Sequence, residues 1–285
     1  MSTSTGRPDL RLPEPPALPP EGGPAQRVLK PIGLADPWRW LRHGWSDLRA
    51  APGIALFYGL CFWLMALLLG NVFRNLPQYT ISVVSGCFLV GPFLAMGLYE
   101  VSQRREQGLP QSLGASLTCW SRHVGSMGML VLVLLLLELL WGRASLVVFA
   151  VFFTQAMPST AGILQALLNP QHLTFVAVYL LVGAIFAGLV FSTCVVAIPM
   201  ILDRDTDAIT AGIASLQVVL ERTGPMLLWG ALIVLLVLGA LLLPWAFGLL
   251  VVGPWLGHAS WHAYRGSFAW RAAVPEITPA PSDCR

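Results

Sequence analysis

Apolar residues run for about twenty positions at a time along this chain, between short polar segments that carry most of the arginines. A helix needs about 20 such residues, at ~1.5 Å each, to cross ~30 Å of hydrocarbon, and its internal hydrogen bonds hide the backbone from lipid. Six stretches have that length: Gly53 to Phe73, Tyr79 to Val101, Val124 to Trp141, Leu173 to Ile201, Pro225 to Leu242 and Trp245 to Tyr264. The pattern therefore predicts an all-α polytopic membrane helix bundle of about six transmembrane helices. Pro244 divides the last two, because proline ends or kinks a helix and leaves room only for a tight hairpin. The third stretch stays apolar as far as Met157, which as one helix would measure about 51 Å, well beyond the bilayer core. A break is expected at Trp141-Gly142-Arg143, with Ala144 to Met157 and Ile163 to Leu168 as interfacial or re-entrant helices on the far side.

Two shorter segments have one apolar face. Leu34, Trp38, Leu41, Trp45 and Leu48 recur at helical spacing, while Arg39, Arg42, His43, Ser46 and Asp47 take the other side. This predicts an amphipathic helix on the inner leaflet, capped by Asp36 with Pro37 at its first position. Asp207 would cap a second, with Ile209, Ile213, Leu216 and Leu220 apolar and Gln217, Glu221 and Arg222 polar. Before them, eight prolines fall between Pro8 and Pro31 among Glu, Gly, Ser and Thr, too few apolar side chains to offset the entropy of ordering. Residues 1–33 are thus expected as a disordered tail without a secretory signal peptide, 34–265 as the membrane domain, and 266–285 as a second disordered tail.

Composition sharpens this picture. Of 285 residues 56% are apolar and 11% charged, against roughly a quarter charged in soluble domains, too little polar surface to wrap a soluble globule. The net charge of +3 points to no nucleic-acid partner, but its placement carries information. Arg39, Arg42 and Arg49 precede the first span, Arg104, Arg105 and Arg122 follow the second, Arg204 and Arg222 follow the fourth, and Arg265 and Arg271 follow the sixth. The opposite side offers Arg74 and Arg143, so the positive-inside bias puts both termini in the cytoplasm. The preference for Arg over Lys hints at a GC-rich bacterial genome.

The chain also resembles itself. Gly53 to Gly59 (GIALFYG) aligns with Gly224 to Gly230 (GPMLLWG), and Val90 to Glu100 (VGPFLAMGLYE) with Val252 to His262 (VGPWLGHASWH). We read a parallel repeat in which amphipathic helix, span one and span two correspond to amphipathic helix, span five and span six. Within it, Gly91 and Ala95, like Gly253 and Gly257, put small residues one turn apart, a pattern for close helix packing. Pro92 and Pro254 should free the carbonyls of Phe88 and Leu250, and kinks matched between two halves are where a transporter would place its site.

Ionisable groups inside the apolar runs are costly and are candidates for function. Glu100 and His262 take equivalent repeat positions, and His258 and His262 share a helix face, where a pair of imidazoles could ligate a metal or bracket a haem. No Cys, Asp or Glu nearby completes such a set, so no cofactor is expected. Glu138 has Arg143 and Arg74 as prospective ion-pair partners. Asp203, Asp205 and Asp207 crowd one loop but lack the Gly and the terminal Glu of a calcium loop, and helix capping with Arg pairing is the simpler expectation. Cys61, Cys87, Cys119, Cys194 and Cys284 are scattered singly, as packing residues would be. No phosphate loop, nucleophile elbow or zinc-protease motif occurs, so the chain is not expected to be an enzyme.

Four segments carry a likeness to a known family: FLVGPFLAMGLYEVSQR (Phe88 to Arg104), VVAIPMILDRDTDAITA (Val195 to Ala211), GPMLLWGALI (Gly224 to Ile233) and VVGPWLGHASWHAYR (Val251 to Arg265). Taken in order from about Trp38 to Arg265, the chain resembles the bacterial predicted integral membrane proteins grouped as domain of unknown function 2189. The resemblance implies a multi-spanning inner-membrane protein and no particular activity. A label linking some members to cytochrome oxidase would need haem and copper ligands in several helices, and the five histidines here are not so placed. Two functions stay open: a non-enzymatic scaffold, assembly or partner-binding protein among other membrane proteins, and a transporter or channel with its site near Pro92 and Pro254. A haem- or metal-binding protein comes third.

Overall fold

The computed structural model describes residues 26–76, 79–152 and 173–271. Residues 30–267 make one compact unit, and the flanking segments make a second. The helices of the larger unit are α1 (Asp36–Ala50), α2 (Pro52–Asn75), α3 (Thr80–Glu106), α4 (Leu113–Thr118), α5 (Val124–Phe152), α6 (Leu173–Cys194), α7 (Ala197–Arg204), α8 (Ala208–Glu221), α9 (Thr223–Leu242) and α10 (Leu249–Ser267). In the second unit, β1 (Gln26–Leu29) pairs antiparallel with β2 (Phe268–Arg271), Leu29 facing Phe268, and the Arg27 guanidinium lies over the Phe268 ring. These strands fall inside the segments expected as tails; residues 1–25 and 272–285 lie outside the described residues.

Five stretches are long and apolar enough to cross a membrane: Pro52–Asn75, Val83–Glu106, Val124–Phe152, Leu173–Arg204 and Thr223–Leu242. The sixth expected span differs. It forms α10, a helix that carries His258, Ser260, His262 and Arg265 and is not in that set. The reason is its position: α10 packs against α1, α2, α3, α7 and α9, and neighbouring helices rather than lipid cover Pro254, Leu256, His258, Ala259, Trp261, Ala263 and Tyr264. A helix sheathed by protein has no need of a uniformly apolar surface. It still returns against α9 after the tight Pro244–Ala246 turn, since Gly248 abuts Ala240 while Gly266 and Trp229 both meet Trp40.

Two expected boundaries move. α5 runs unbroken through Trp141-Gly142-Arg143 to Phe152, so no interfacial helix begins at Ala144. One glycine in a helix interior costs only ~1 kcal/mol, and side-chain packing across the spot offsets it. Trp141 meets Tyr179 and Phe186 of α6, and about two turns later Phe149 meets Phe175. The remainder of that prediction, through Ile163 to Leu168, lies outside the described residues. The fourth span, expected to run straight to Ile201, breaks at Val195-Val196 between α6 and α7. Pro199 explains the position, because its ring excludes the helical carbonyl four residues earlier, that of Val195, and proline is tolerated in a first turn. The Val196 N–H left at the break donates to Ser215 Oγ of α8 at 3.3 Å.

The two amphipathic helices form, with different outcomes. α8 buries Ala208, Ala211, Ala214, Ser215 and Val218, and leaves Ile209, Ile213, Leu216 and Leu220 exposed as an apolar stripe. In α1 the side turned to the other helices is Pro37, Trp40, Leu41, Gly44 and Asp47; of the Leu34-Trp38-Leu41-Trp45-Leu48 stripe expected to face the membrane, Leu34 and Trp38 are exposed, Trp45 and Leu48 half-buried and Leu41 buried. Helix α1 is docked on α10, where a side chain at Gly44 would overlap the Ala259 backbone. Its N-terminus also shifts by one residue: Ala35 occupies the cap, and Asp36 accepts from the Gly33 N–H at 2.7 Å and from Arg39 at 2.9 Å.

Contacts of this closeness separate the glycines of one helix. In α2, a side chain at Gly59 would collide with the Leu250 carbonyl, whereas one at Gly70 would meet nothing within 4 Å. Gly59→Val should lower stability by about 1–3 kcal/mol, and Gly70→Val should leave it unchanged, as measured by thermal unfolding of the detergent-solubilised protein.

A buried polar layer as candidate functional site

The last turns of α3 read Ser102-Gln103-Arg104-Arg105-Glu106, so Ser102, Arg105 and Glu106 fall on adjoining positions of one helix face. The Gly44 contact brings α1 close enough to α10 for Asp47, one turn later, to enter the interior. Asp47 is 5% exposed, and Ser102 and His258 are fully buried. Asp47 Oδ2 accepts from Ser102 Oγ at 2.7 Å and from His262 Nε2 at 2.8 Å, and Arg105 donates to Oδ1. Burial pushes the Asp47 carboxyl up, but the hydrogen bonds from His262 and Ser102 outweigh it and hold the group below its ordinary value of 3.8.

His258 Nδ1 lies 2.8 Å from Ser102 Oγ. The single Ser102 proton is committed to Asp47, so the hydroxyl oxygen accepts from Nδ1–H. His258 Nε2 is then a bare lone pair, buried with no partner among the described residues. Serine, histidine and aspartate are all present, but the serine proton points at the carboxylate instead of at a base. Such an arrangement joins helices and does not activate a nucleophile.

A second carboxylate centre adjoins the first. Asp203, at the end of α7, accepts from Gln103 Nε2 at 3.0 Å, Tyr264 Oη at 2.6 Å and Arg204 Nε at 3.1 Å. The link between the centres is Glu106, whose carboxylate accepts from Arg265 Nε at 3.0 Å and stands 3.8 Å from His262 Nδ1, while Arg265 reaches within 3.9 Å of Asp203. Three acids (Asp47, Glu106, Asp203) thus face three arginines (Arg105, Arg204, Arg265) in a layer built by α1, α3, α7 and α10.

A layer of this kind, at one end of a set of apolar helices, is what a bilayer-spanning bundle presents where it meets water. Residues 80–203 match the family model described as Predicted integral membrane protein (DUF2189). The chain is an integral membrane protein with a domain of unknown function. No curated protein and no solved structure matches it. The DUF2189 match is narrower than the likeness read from Trp38 to Arg265. It contains Ser102, Gln103, Arg105, Glu106 and Asp203, and it leaves Asp47, His258, His262 and Tyr264 outside.

The structure distributes the sequence candidates unevenly. His258 and His262 do meet in the layer, but Ser102 and Asp47 each hold one of their ring nitrogens, and among the described residues no group of three His, Cys, Asp or Glu side chains could hold a metal ion. Glu100 stays apart and pairs with Arg104 of its own helix at 3.5 Å. It faces Cys119, whose thiol is pushed up to about 12 by burial and then by the Glu100 charge. Glu138 is 7% exposed, and instead of the expected arginines it takes a hydrogen bond from Ser85 Oγ at 3.0 Å. Arg143 lies five residues on, well round the helix, and points outward. The aspartate loop divides among three tasks, with Asp203 turned into the layer, Asp205 on His123 at 2.9 Å, and Asp207 capping α8 through the Thr210 N–H.

The two small-residue motifs also diverge. Gly253 abuts Phe62 and Gly257 abuts Leu98, as close packing requires, but a side chain at Gly91 would meet nothing within 4 Å. In α3 the tight contact belongs to Gly97, against the Tyr58 hydroxyl. Pro92 and Pro254 both sit inside continuous helices. The Leu250 carbonyl that Pro254 releases faces the Gly59 backbone, where a Cα–H contact is the available partner.

Sequence reasoning missed Asp47, Ser102, Gln103, Glu106 and Tyr264. The one available signal was Gly44-x-x-Asp47, a small residue and an acid one turn apart in a helix otherwise rich in arginine. Asp47→Ala would leave Arg105, Ser102 and His262 facing an empty place, and should cost about 3–5 kcal/mol in thermal or denaturant unfolding. The wild-type pH dependence follows from the lowered pKa. The stabilisation from Asp47 is complete above the unfolded value of 3.8 and is lost as pH falls from there through the lower folded value. Asp47→Asn should remove that part of the acid sensitivity, measured as melting temperature against pH.

Proposed function

We propose that this integral membrane protein is a non-catalytic scaffold, assembly or partner-binding component of the inner membrane, with both termini in the cytoplasm. The observation that carries the reading is the closure of the polar layer. Its acids, arginines and serine bond to one another across four helices, so these groups are taken up in holding the helices together. The level of Pro254 supports it as well, since Gly253 on Phe62 and Gly257 on Leu98 are apolar contacts where a transporter needs a water-filled path lined by polar groups. For the orientation, the support is the gathering of Arg105, Arg204 and Arg265 at the end of the bundle where α1 lies. The order α1-α2-α3 parallels α8-α9-α10, a short helix joined through one residue to a long one and then to a proline-bearing one, and we extend the proposal to a parallel repeat.

Single cysteines placed at either terminus should react with an impermeant maleimide only after the membrane is opened, and one placed at Leu76 should react in intact cells. Affinity purification from native membranes should recover a stoichiometric membrane-protein partner, and proteoliposomes of the purified chain should show no solute or ion flux above empty vesicles. Flux that depends on the chain alone would reverse the choice in favour of a transporter.

A further inference from the structure

Helix α1 carries a second pattern on the side turned away from Trp40 and Gly44. Trp38, Arg42, Trp45 and Arg49 recur at spacings of four, three and four, which places them along one stripe and puts Arg42 with the tryptophans rather than on the expected opposite face. Trp38, Arg42 and Arg49 are exposed and Trp45 is half-buried. Beside the stripe, Leu41, Arg42 and Trp45 join Trp255 of α10 around a groove of about 350 Å³. Trp255 is held in place by a hydrogen bond from Nε1 to the Leu41 carbonyl at 2.8 Å, and its ring stands edge-on to Trp45 at 5.3 Å. The Arg49 guanidinium lies over the other tryptophan of the pair, 5.7 Å from the Trp45 ring. Arg42 makes no ion pair among the described residues, in contrast to Arg39, which Asp36 neutralises at 2.9 Å.

We propose that this groove binds one anionic glycerophospholipid, with the headgroup phosphate on Arg42 and Arg49 and the start of an acyl chain along Leu41, Trp45 and Trp255. Guanidinium groups match phosphate oxygens in geometry and charge. Indole rings favour the depth where headgroup meets hydrocarbon, and basic pockets between helices select anionic headgroups. The apolar floor distinguishes a lipid from a soluble anion, which would gain nothing from two indoles and a leucine. The absence of an acid from the stripe distinguishes an anionic lipid from a zwitterionic one, whose ammonium the arginines repel. Helix α1 leads through Ala51 into Pro52, the first residue of the first candidate span, so the stripe lies near the level where that span enters the membrane.

The test uses the full-length protein in neutral detergent, with phosphatidylglycerol or phosphatidylcholine added and bound lipid counted by native mass spectrometry. One phosphatidylglycerol should be retained at concentrations where phosphatidylcholine is not. Arg42→Gln should weaken retention about fivefold, equivalent to roughly 1 kcal/mol for one arginine near a phosphate, and Arg42→Gln with Arg49→Gln should weaken it further. Arg39→Gln removes the same charge from an arginine already paired with Asp36 and should leave retention unchanged. All three side chains are exposed, and an unaltered melting temperature shows that the fold is intact. Equal retention of the two lipids, an equal effect of Arg39→Gln, or displacement of the lipid by millimolar inorganic phosphate would each overturn the proposal, the last in favour of a free-anion site.

Discussion

The structure depends on a carboxylate placed where a carboxylate is expensive. Removing an ion from water costs several kcal/mol even after relaxation, so Asp47 is tolerated in the interior only because Arg105, Ser102 and His262 surround it. Those partners come from α3 and α10, and they fix how α1 lies on both. A uniformly apolar contact would allow the helices to slide or rotate past one another at little cost. A buried carboxylate with three defined donors does not, because a shift of one residue leaves donors and acceptor unpaired. The layer thus specifies one arrangement of four helices at the end of the bundle where hydropathy alone would leave several.

The apolar part solves a different problem. Lipid tails are as apolar as leucine and give no drive for helices to associate, so association rests on contact distance and on small residues. Gly44 on Ala259, Gly59 on Leu250, Gly253 on Phe62 and Gly257 on Leu98 all lie on contacts of α10. The one expected span that is not apolar enough to stand in lipid is therefore closely embraced by its neighbours, and the two facts have one cause. Because protein covers α10, it can carry His258, His262 and Tyr264, and these are groups that engage the layer.

What was legible in the sequence is what depends on local properties. Five spans, the hairpin at Pro244, the two amphipathic segments and the Asp207 cap follow from runs of apolar residues, from proline and from side-chain capping, all decided within a few positions. What depends on neighbours was not legible. Gly142 looked like a break in α5 because nothing in sequence announces that Trp141 will lean on Tyr179 and Phe186. The far end of the fourth span looked continuous because the apolar pattern outweighed Pro199, whose effect falls four residues upstream at Val195. Asp47 was assigned to the wet side of α1 because polarity alone places an acid there, and its partners are 55 to 215 positions away in the chain. Glu138 was matched to arginines by charge, although the angle around the helix excludes Arg143 and the hydroxyl of Ser85 is nearer.

The extent of the DUF2189 match adds a last step. The matched stretch, 80–203, ends at Asp203, and that residue takes its hydrogen bonds partly from inside the stretch, through Gln103, and partly from outside, through Tyr264. Asp47 is the mirror case, an acid outside the stretch held by Ser102 and Arg105 from within it and by His262 from beyond it. Neither carboxylate is satisfied by the matched residues alone or by the flanking helices alone. The stretch from α3 to α7 would by itself leave Ser102 and Arg105 without Asp47, and the pair α1 and α10 would bury Asp47 with one histidine. The physical unit is accordingly the whole of residues 30–267, and a role for the matched stretch has to be sought in the intact bundle, where α1 and α10 complete its polar end.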